Sequence, residues 1–197
     1  PESAGAIAQG VANANPEAAA EVASIMAEEH PEEAGNIISG IAAGDPEAAA
    51  DAATAMMEAN PEAAASMAAA VAESNPDAAA DVVAAMVESN PEAAGDMAAA
   101  VAESNPEAAG DVASMLMESN PDAAQEIAVS MAQANPEAAQ AVTESLINNN
   151  PEATADIVAD LAEALPEMAG DIAAGVAEAA PDAAKEITSA MAEANPE

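Results

Sequence analysis

Fourteen prolines stand on a single fifteen-residue register, from Pro1, Pro16 and Pro31 to Pro181 and Pro196. Proline locks φ and lacks a backbone N–H, so it breaks a helix interior but suits the first helical position. It also drives the residue before it out of the α region. No helix in this chain can therefore run past the next proline, and a strict internal period of this kind points to a stacked repeat array.

Residues 91–105 (PEAAGDMAAAVAESN) show the unit cleanly. Asn usually precedes the proline, as at Asn60, Asn75, Asn90, Asn105, Asn120 and Asn135. Its side-chain oxygen can accept an orphan N–H of the first turn, so an N-cap is expected at each. The residue after proline is acidic in every copy, which suits the positive end of the helix dipole. An Ala-rich run follows, the best intrinsic helix-forming composition. Each unit reads as one short helix and one tight turn. The first three copies carry Gly5, Gly10, Gly35, Gly40 and Gly44. On propensity alone these glycines make that region the loosest.

Numbered from proline as position 1, positions 4, 7, 8, 11 and 12 form an apolar stripe, as in Ala94, Met97, Ala98, Val101 and Ala102. Positions 2, 6, 9 and 13 (Glu92, Asp96, Ala99, Glu103) form the opposite face. So short a helix is marginal alone in water and must bury its stripe against neighbours. Position 12 adds a second period: it is bulky in Met57, Val87, Met117 and Ile147 but Ala in Ala42, Ala72, Ala102, Ala132 and Ala162. The expected fold is all-α: an α-solenoid of thirteen short antiparallel helices, with a 15-residue repeat and a 30-residue helical hairpin as its unit. Residues 1–197 form one array without a linker, and the register running to both ends leads us to expect a segment of a longer solenoid.

Charge is the second constraint. Thirty-seven acidic residues face one lysine, Lys185, and no arginine, for a formal net charge of −36. Phosphate contacts need Lys and Arg, so nucleic acid is excluded as a partner. No apolar run approaches transmembrane length, so no membrane insertion is expected. Self-repulsion on this scale opposes compaction unless salt screens it. Such a surface suits a salty or divalent-rich medium, at a cell surface or outside the cell, or alternatively in the cytoplasm of a halophile. Phe, Tyr, Trp and Cys are absent, which removes the usual anchors of cofactor pockets and all thiolate chemistry.

Few constellations could carry chemistry. Carboxylate pairs such as Glu92/Asp96 and Glu107/Asp111 are i,i+4 neighbours on one face. Acid–base catalysis would need them sheltered and unlike, whereas a solvated face is expected, so no catalytic residue is assigned. Weak binding of Ca²⁺ or Mg²⁺ is the sharper possibility, because each turn gathers oxygen ligands: Glu103, Asn105 and Glu107, then Glu118, Asn120 and Asp122. No EF-hand spacing accompanies them, so diffuse counterion association stays open beside it. His30 reads as a turn residue and Lys185, near Asp182 and Glu186, as a surface charge. Nine of the eleven Met residues fall on the stripe, which makes them core filler rather than a soft-metal site. Thr54, Thr143, Thr154 and Thr188 do not make a regular exposed face.

The Pro-Glu-x-Ala-Ala opening with a following Val or Ile, as in Pro76-Asp77-Ala78-Ala79 through Val82, resembles the short helical repeats of several α-solenoids. Among these is the superhelical cytoplasmic domain of bacterial magnesium channels. The resemblance implies a general architecture and no functional residue. Tetratricopeptide repeats fit less well, since their aromatic positions are empty here. Together these readings favour a structural or scaffolding protein, part of a stalk, fibre or filament that associates with itself or with another protein. A divalent-cation or mineral-binding array and a peptide-binding solenoid are the alternatives; an enzyme is not expected.

Overall fold

The structure, a computed structural model, describes residues 2–149, 154–182 and 184–194. Among them are thirteen α-helices and no strand. They are α1 (Glu2–Ala14), α2 (Pro16–Glu29), α3 (Ala34–Gly44), α4 (Pro46–Ala59), α5 (Ala64–Ser74), α6 (Pro76–Ser89) and α7 (Ala94–Ser104), continuing as α8 (Pro106–Ser119), α9 (Ala124–Ala134), α10 (Ala138–Asn149), α11 (Thr154–Ala164), α12 (Ala169–Ala179) and α13 (Ala184–Ala194).

A single residue joins one unit to the next. Its N–H still belongs to the helix behind, as in Asn60 N to Met56 O at 2.8 Å. Its carbonyl already opens the unit ahead, accepting from Ala63 N at 3.1 Å. Its backbone is extended, from φ −154° and ψ 82° at Asn15 to φ −130° and ψ 67° at Leu165. His30, Leu165 and Ala180 adopt the same geometry as the asparagines, so the turn is set by the proline and not by the residue that precedes it.

The asparagines differ sharply in what their side chains do. A cap at every junction is not what forms. Asp45, Asn75, Asn105 and Asn135, which follow odd-numbered helices, accept backbone N–H bonds from the next helix. Asn60, Asn90 and Asn120, which follow even-numbered helices, make no side-chain cap. Without that acceptor the first turn tightens into a 3₁₀ segment, at residues 61–63, 91–93 and 121–123. Leu165 cannot cap, and α12 is likewise preceded by a 3₁₀ turn, Pro166–Met168. α2 and α10 are exceptions: α2 runs α-helical from Pro16 although Asn15 makes no side-chain cap, and α10 begins only at Ala138 although Asn135 accepts from Glu137 N.

The capping asparagines also look backward. Asn75 Nδ2 donates to Ala42 O at 2.9 Å, Asn105 to Ala72 O at 2.7 Å and Asn135 to Ala102 O at 2.9 Å. Each of these carbonyls lies four residues before a proline, so its helical N–H donor does not exist. The next hairpin supplies the missing donor. One carboxamide thus caps the helix that follows it and closes the end of a helix thirty-three residues earlier. The accepting residue is in each case an Ala at position 12. Repetition of the same bond places α3, α5, α7 and α9 parallel and in register.

Odd helices accordingly stack on odd and even on even, in two layers, each hairpin contributing one helix to each layer. The stripe at positions 4, 7, 8, 11 and 12 fills the space between layers: Ala94, Met97, Ala98, Val101 and Ala102 are all buried. Met56, Met67, Met86, Met97, Met117 and Met131 are fully buried core residues, as their spacing implies. Position 9 departs from the helical-wheel expectation. It lies on the flank facing the neighbouring helix of its own layer, so Ala84 is buried and Ser39, Ala99 and Ser114 are half-buried. Ser39 Oγ uses that position to donate to Ala70 O of α5 at 3.0 Å.

The glycines of the first copies correct the propensity argument. A Cβ on Gly40 would stand 2.1 Å from Gly5 O, and one on Gly5 or Gly44 would stand 2.7 or 2.8 Å from the carbonyl oxygen of Asn36 or Gln9. Here α1 and α3 touch backbone to backbone, and the absent side chains permit the contact. The region is tightly packed rather than loose.

Two paired comparisons and one single substitution test this account. Asn105→Ala removes a cap worth about 1 kcal/mol and an inter-hairpin bond worth about 1 kcal/mol, so urea unfolding should show a loss near 2 kcal/mol. Asn90→Ala should cost under ~0.5 kcal/mol. Asp45→Asn should stabilise by ~1 kcal/mol, because it adds an Nδ2 donor for Ala12 O. Gly40→Ala should cost ~1–3 kcal/mol by forcing α1 and α3 apart. Gly10→Ala, which meets nothing within 4 Å, should gain up to ~1 kcal/mol.

Candidate functional site

The two kinds of junction lie at opposite edges of the array, because successive helices reverse direction. Asp45, Asn75, Asn105, Asn135 and Leu165 line one edge; His30, Asn60, Asn90, Asn120 and Ala180 line the other. The six candidate cation ligands are therefore divided. Glu103, Asn105 and Glu107 sit at the junction of α7 and α8, and Glu118 and Asn120 at the junction of α8 and α9. The fourteen residues of α8 separate the two groups by roughly 20 Å. The side chain of Asp122 lies outside the described residues.

Within the first group the carboxylates of Glu103 and Glu107 are exposed, while Asn105 is committed on both sides of its amide. Its Oδ1 accepts from Ala108 N at 3.2 Å and its Nδ2 donates to Ala72 O. A cation there would share Oδ1 with the capping bond from Ala108 N. Asn120 has no such commitment, and with Ser119, Glu88 and Pro91 it lines a shallow groove between the ends of α6 and α8. Among the described residues no three His, Asp or Glu side chains converge on a common point. The pairs Glu92/Asp96 and Glu107/Asp111 stand on the exposed surface.

The remaining candidates take ordinary structural places. His30 Nδ1 lies 3.9 Å from Glu32 Oε1 on an exposed turn. Lys185 is exposed. Thr143 and Thr154 are buried and donate to Ala139 O at 2.7 Å and Leu146 O at 3.2 Å. Every buried side-chain nitrogen or oxygen among the described residues has a partner. None of these helices is long and apolar enough to cross a membrane.

Sequence reasoning missed the feature that organises this surface, the ladder of carboxamide bonds along one edge. The alternation at position 12 was its only signal. Between the rungs a groove opens, lined in α4 and α6 by Pro46, Glu47, Asn75, Asp77 and Asp81. Its walls combine the carboxylates of Glu47, Asp77 and Asp81 and the amide of the rung with the apolar surface of Pro46, Ala50 and Ala78.

No family model, no curated protein and no solved structure matches this chain.

If the acids act as a diffuse coat, Ca²⁺ and Mg²⁺ should raise the unfolding midpoint equally at equal ionic strength, without saturating. Calorimetry showing a saturable, Ca²⁺-selective heat would instead establish discrete sites of the kind that oxygen-rich turns can form.

Proposed function

We propose that the chain is a scaffolding element: a stretch of extended, acid-coated solenoid serving in a stalk, fibre or filament of a salty medium, outside the cell or at its surface. The observation that carries this reading is the repetition of one inter-hairpin bond, from Asn75 to Ala42, Asn105 to Ala72 and Asn135 to Ala102. A unit that binds its predecessor in the same way each time adds length rather than enclosing a pocket. The rows of carboxylates at positions 2, 6 and 13 support the same reading, because like-charged coats resist lateral clumping while salt permits the fold. The likeness to the magnesium-channel superhelical domain enters at the level of architecture alone.

A second reading, an acidic array that gathers divalent cations or a mineral surface, is favoured by the exposure of Glu92, Asp96, Glu103, Glu107 and Asp111 in successive units. It is compatible with the first, since a coat of counterions would stiffen a stalk.

A stalk adapted to salt should melt on the order of 10 °C higher at ~1 M NaCl than at ~0.01 M, as the Debye length shortens from about 30 Å to about 3 Å. Small-angle scattering at the higher salt should give the profile of an elongated particle with a constant cross-section. A salt-insensitive melting point would contradict the proposal, as would the profile of a sphere.

A further inference from the structure

Among the described residues the ladder lacks its carboxamide at two places, Asp45 and Leu165, and only at Leu165 is the replacement apolar. At the place of Asn75 and Asn105, three hairpins and two hairpins further on, stands Leu165, and among the described residues no side chain donates to Ala132 O as Asn105 does to Ala72 O. The groove between rungs persists there. In α4 and α6 it is lined by Pro46, Asn75, Asp77 and Ala78; between α10 and α12 the equivalent residues are Pro136, Leu165, Glu167 and Met168. Two copy-specific changes, Asn to Leu and Ala to Met, thus replace the amide rung and a methyl by two large apolar side chains in this groove. Leu165 and Met168 pack partly on the core and are half-buried in the groove, with Ala164 and Pro166 beside them. Its volume of about 330 Å³ suits an anchoring side chain or two rather than a whole small molecule.

We propose that the groove between α10 and α12 is a docking site for a basic amphipathic segment of another protein, with its apolar side chains on Leu165 and Met168. Charge selects the occupant. Glu137, Glu163 and Glu167 are exposed on or next to the groove, on a chain of net charge −36. A partner carrying Lys or Arg around an apolar anchor is drawn in by that field, which speeds encounter and fixes orientation. Met adapts its unbranched side chain to whatever apolar group arrives. A second copy of this chain is the wrong occupant, since it would bring thirty-seven acids and one lysine to the same surface. The inference adds an attachment point to the array and does not depend on whether the array forms a stalk.

The test uses a fluorescently labelled synthetic helix of Leu and Lys, and an Ala–Lys helix of the same charge, at ~0.15 M NaCl where loose surface attraction is screened. The Leu–Lys helix should bind one per chain, and the double variant Leu165→Asn/Met168→Ala should bind it about tenfold or more weakly. That variant restores the residues found at Asn75 and Ala78, so circular dichroism should report an unchanged fold. The Ala–Lys helix should bind both proteins weakly and alike. Independently, in the unaltered protein with labelled methionine methyls, the Met168 signal should shift on titration while that of buried Met97 stays in place. Equal binding of the Leu–Lys helix by the variant would overturn the proposal, as would several helices per chain or a still Met168 signal. Sedimentation showing a dimer that the double variant abolishes would give the groove to a second copy and equally overturn it.

Discussion

Everything in this fold descends from the peptide bond that precedes each proline. The pyrrolidine ring crowds the residue before it into an extended conformation, and that one residue closes a helix and opens the next. The geometry is the same whether the position holds Asn, Asp, His, Leu or Ala. Its consequence is less obvious. A proline ring removes the N–H that the carbonyl four residues back would have used, so each turn also creates an acceptor with no helical donor. At one edge of the array that deficit is met from the neighbouring hairpin, and a local defect becomes a long-range bond.

The packing follows from the same economy of size. Neighbouring helices within a layer can approach closely because their flanks carry Ala, Ser and Gly, and at α1 and α3 the approach reaches backbone contact. Van der Waals attraction gains from such proximity what the absence of aromatics forgoes. Met fills the irregular space left between layers. The acids stay outside, where water and counterions screen them, and the array is held by contacts between nearest hairpins.

A near-uniform array makes its exceptions informative. Along most of the ladder edge the grooves present carboxylates and an amide rung, a surface with nothing to distinguish one repeat from the next. At Leu165 and Met168 the rung is gone and two large apolar side chains line the groove. A scaffold needs some place where it differs from itself if anything is to attach at a defined distance along it.

The sequence by itself determined the number of helices, their buried stripe, the exposure of the acids and the hairpin as the structural unit. These are local or periodic properties, set by proline geometry, helix propensity and the 3.6-residue turn. Asn75 and Asn90, however, are the same residue in nearly the same local sequence, and their side chains have unlike roles. Only the tertiary structure decides between them, because the carbonyl that Asn75 closes lies thirty-three residues away on another helix. Gly40 and Gly10 part for the same reason: one faces the backbone of α1 and the other faces solvent. The turn residues Glu103, Asn105, Glu107, Glu118 and Asn120 could be recognised as oxygen ligands from their type. Their division between two edges, and the prior engagement of Asn105, depend on the direction in which each helix returns, which no local signal encodes.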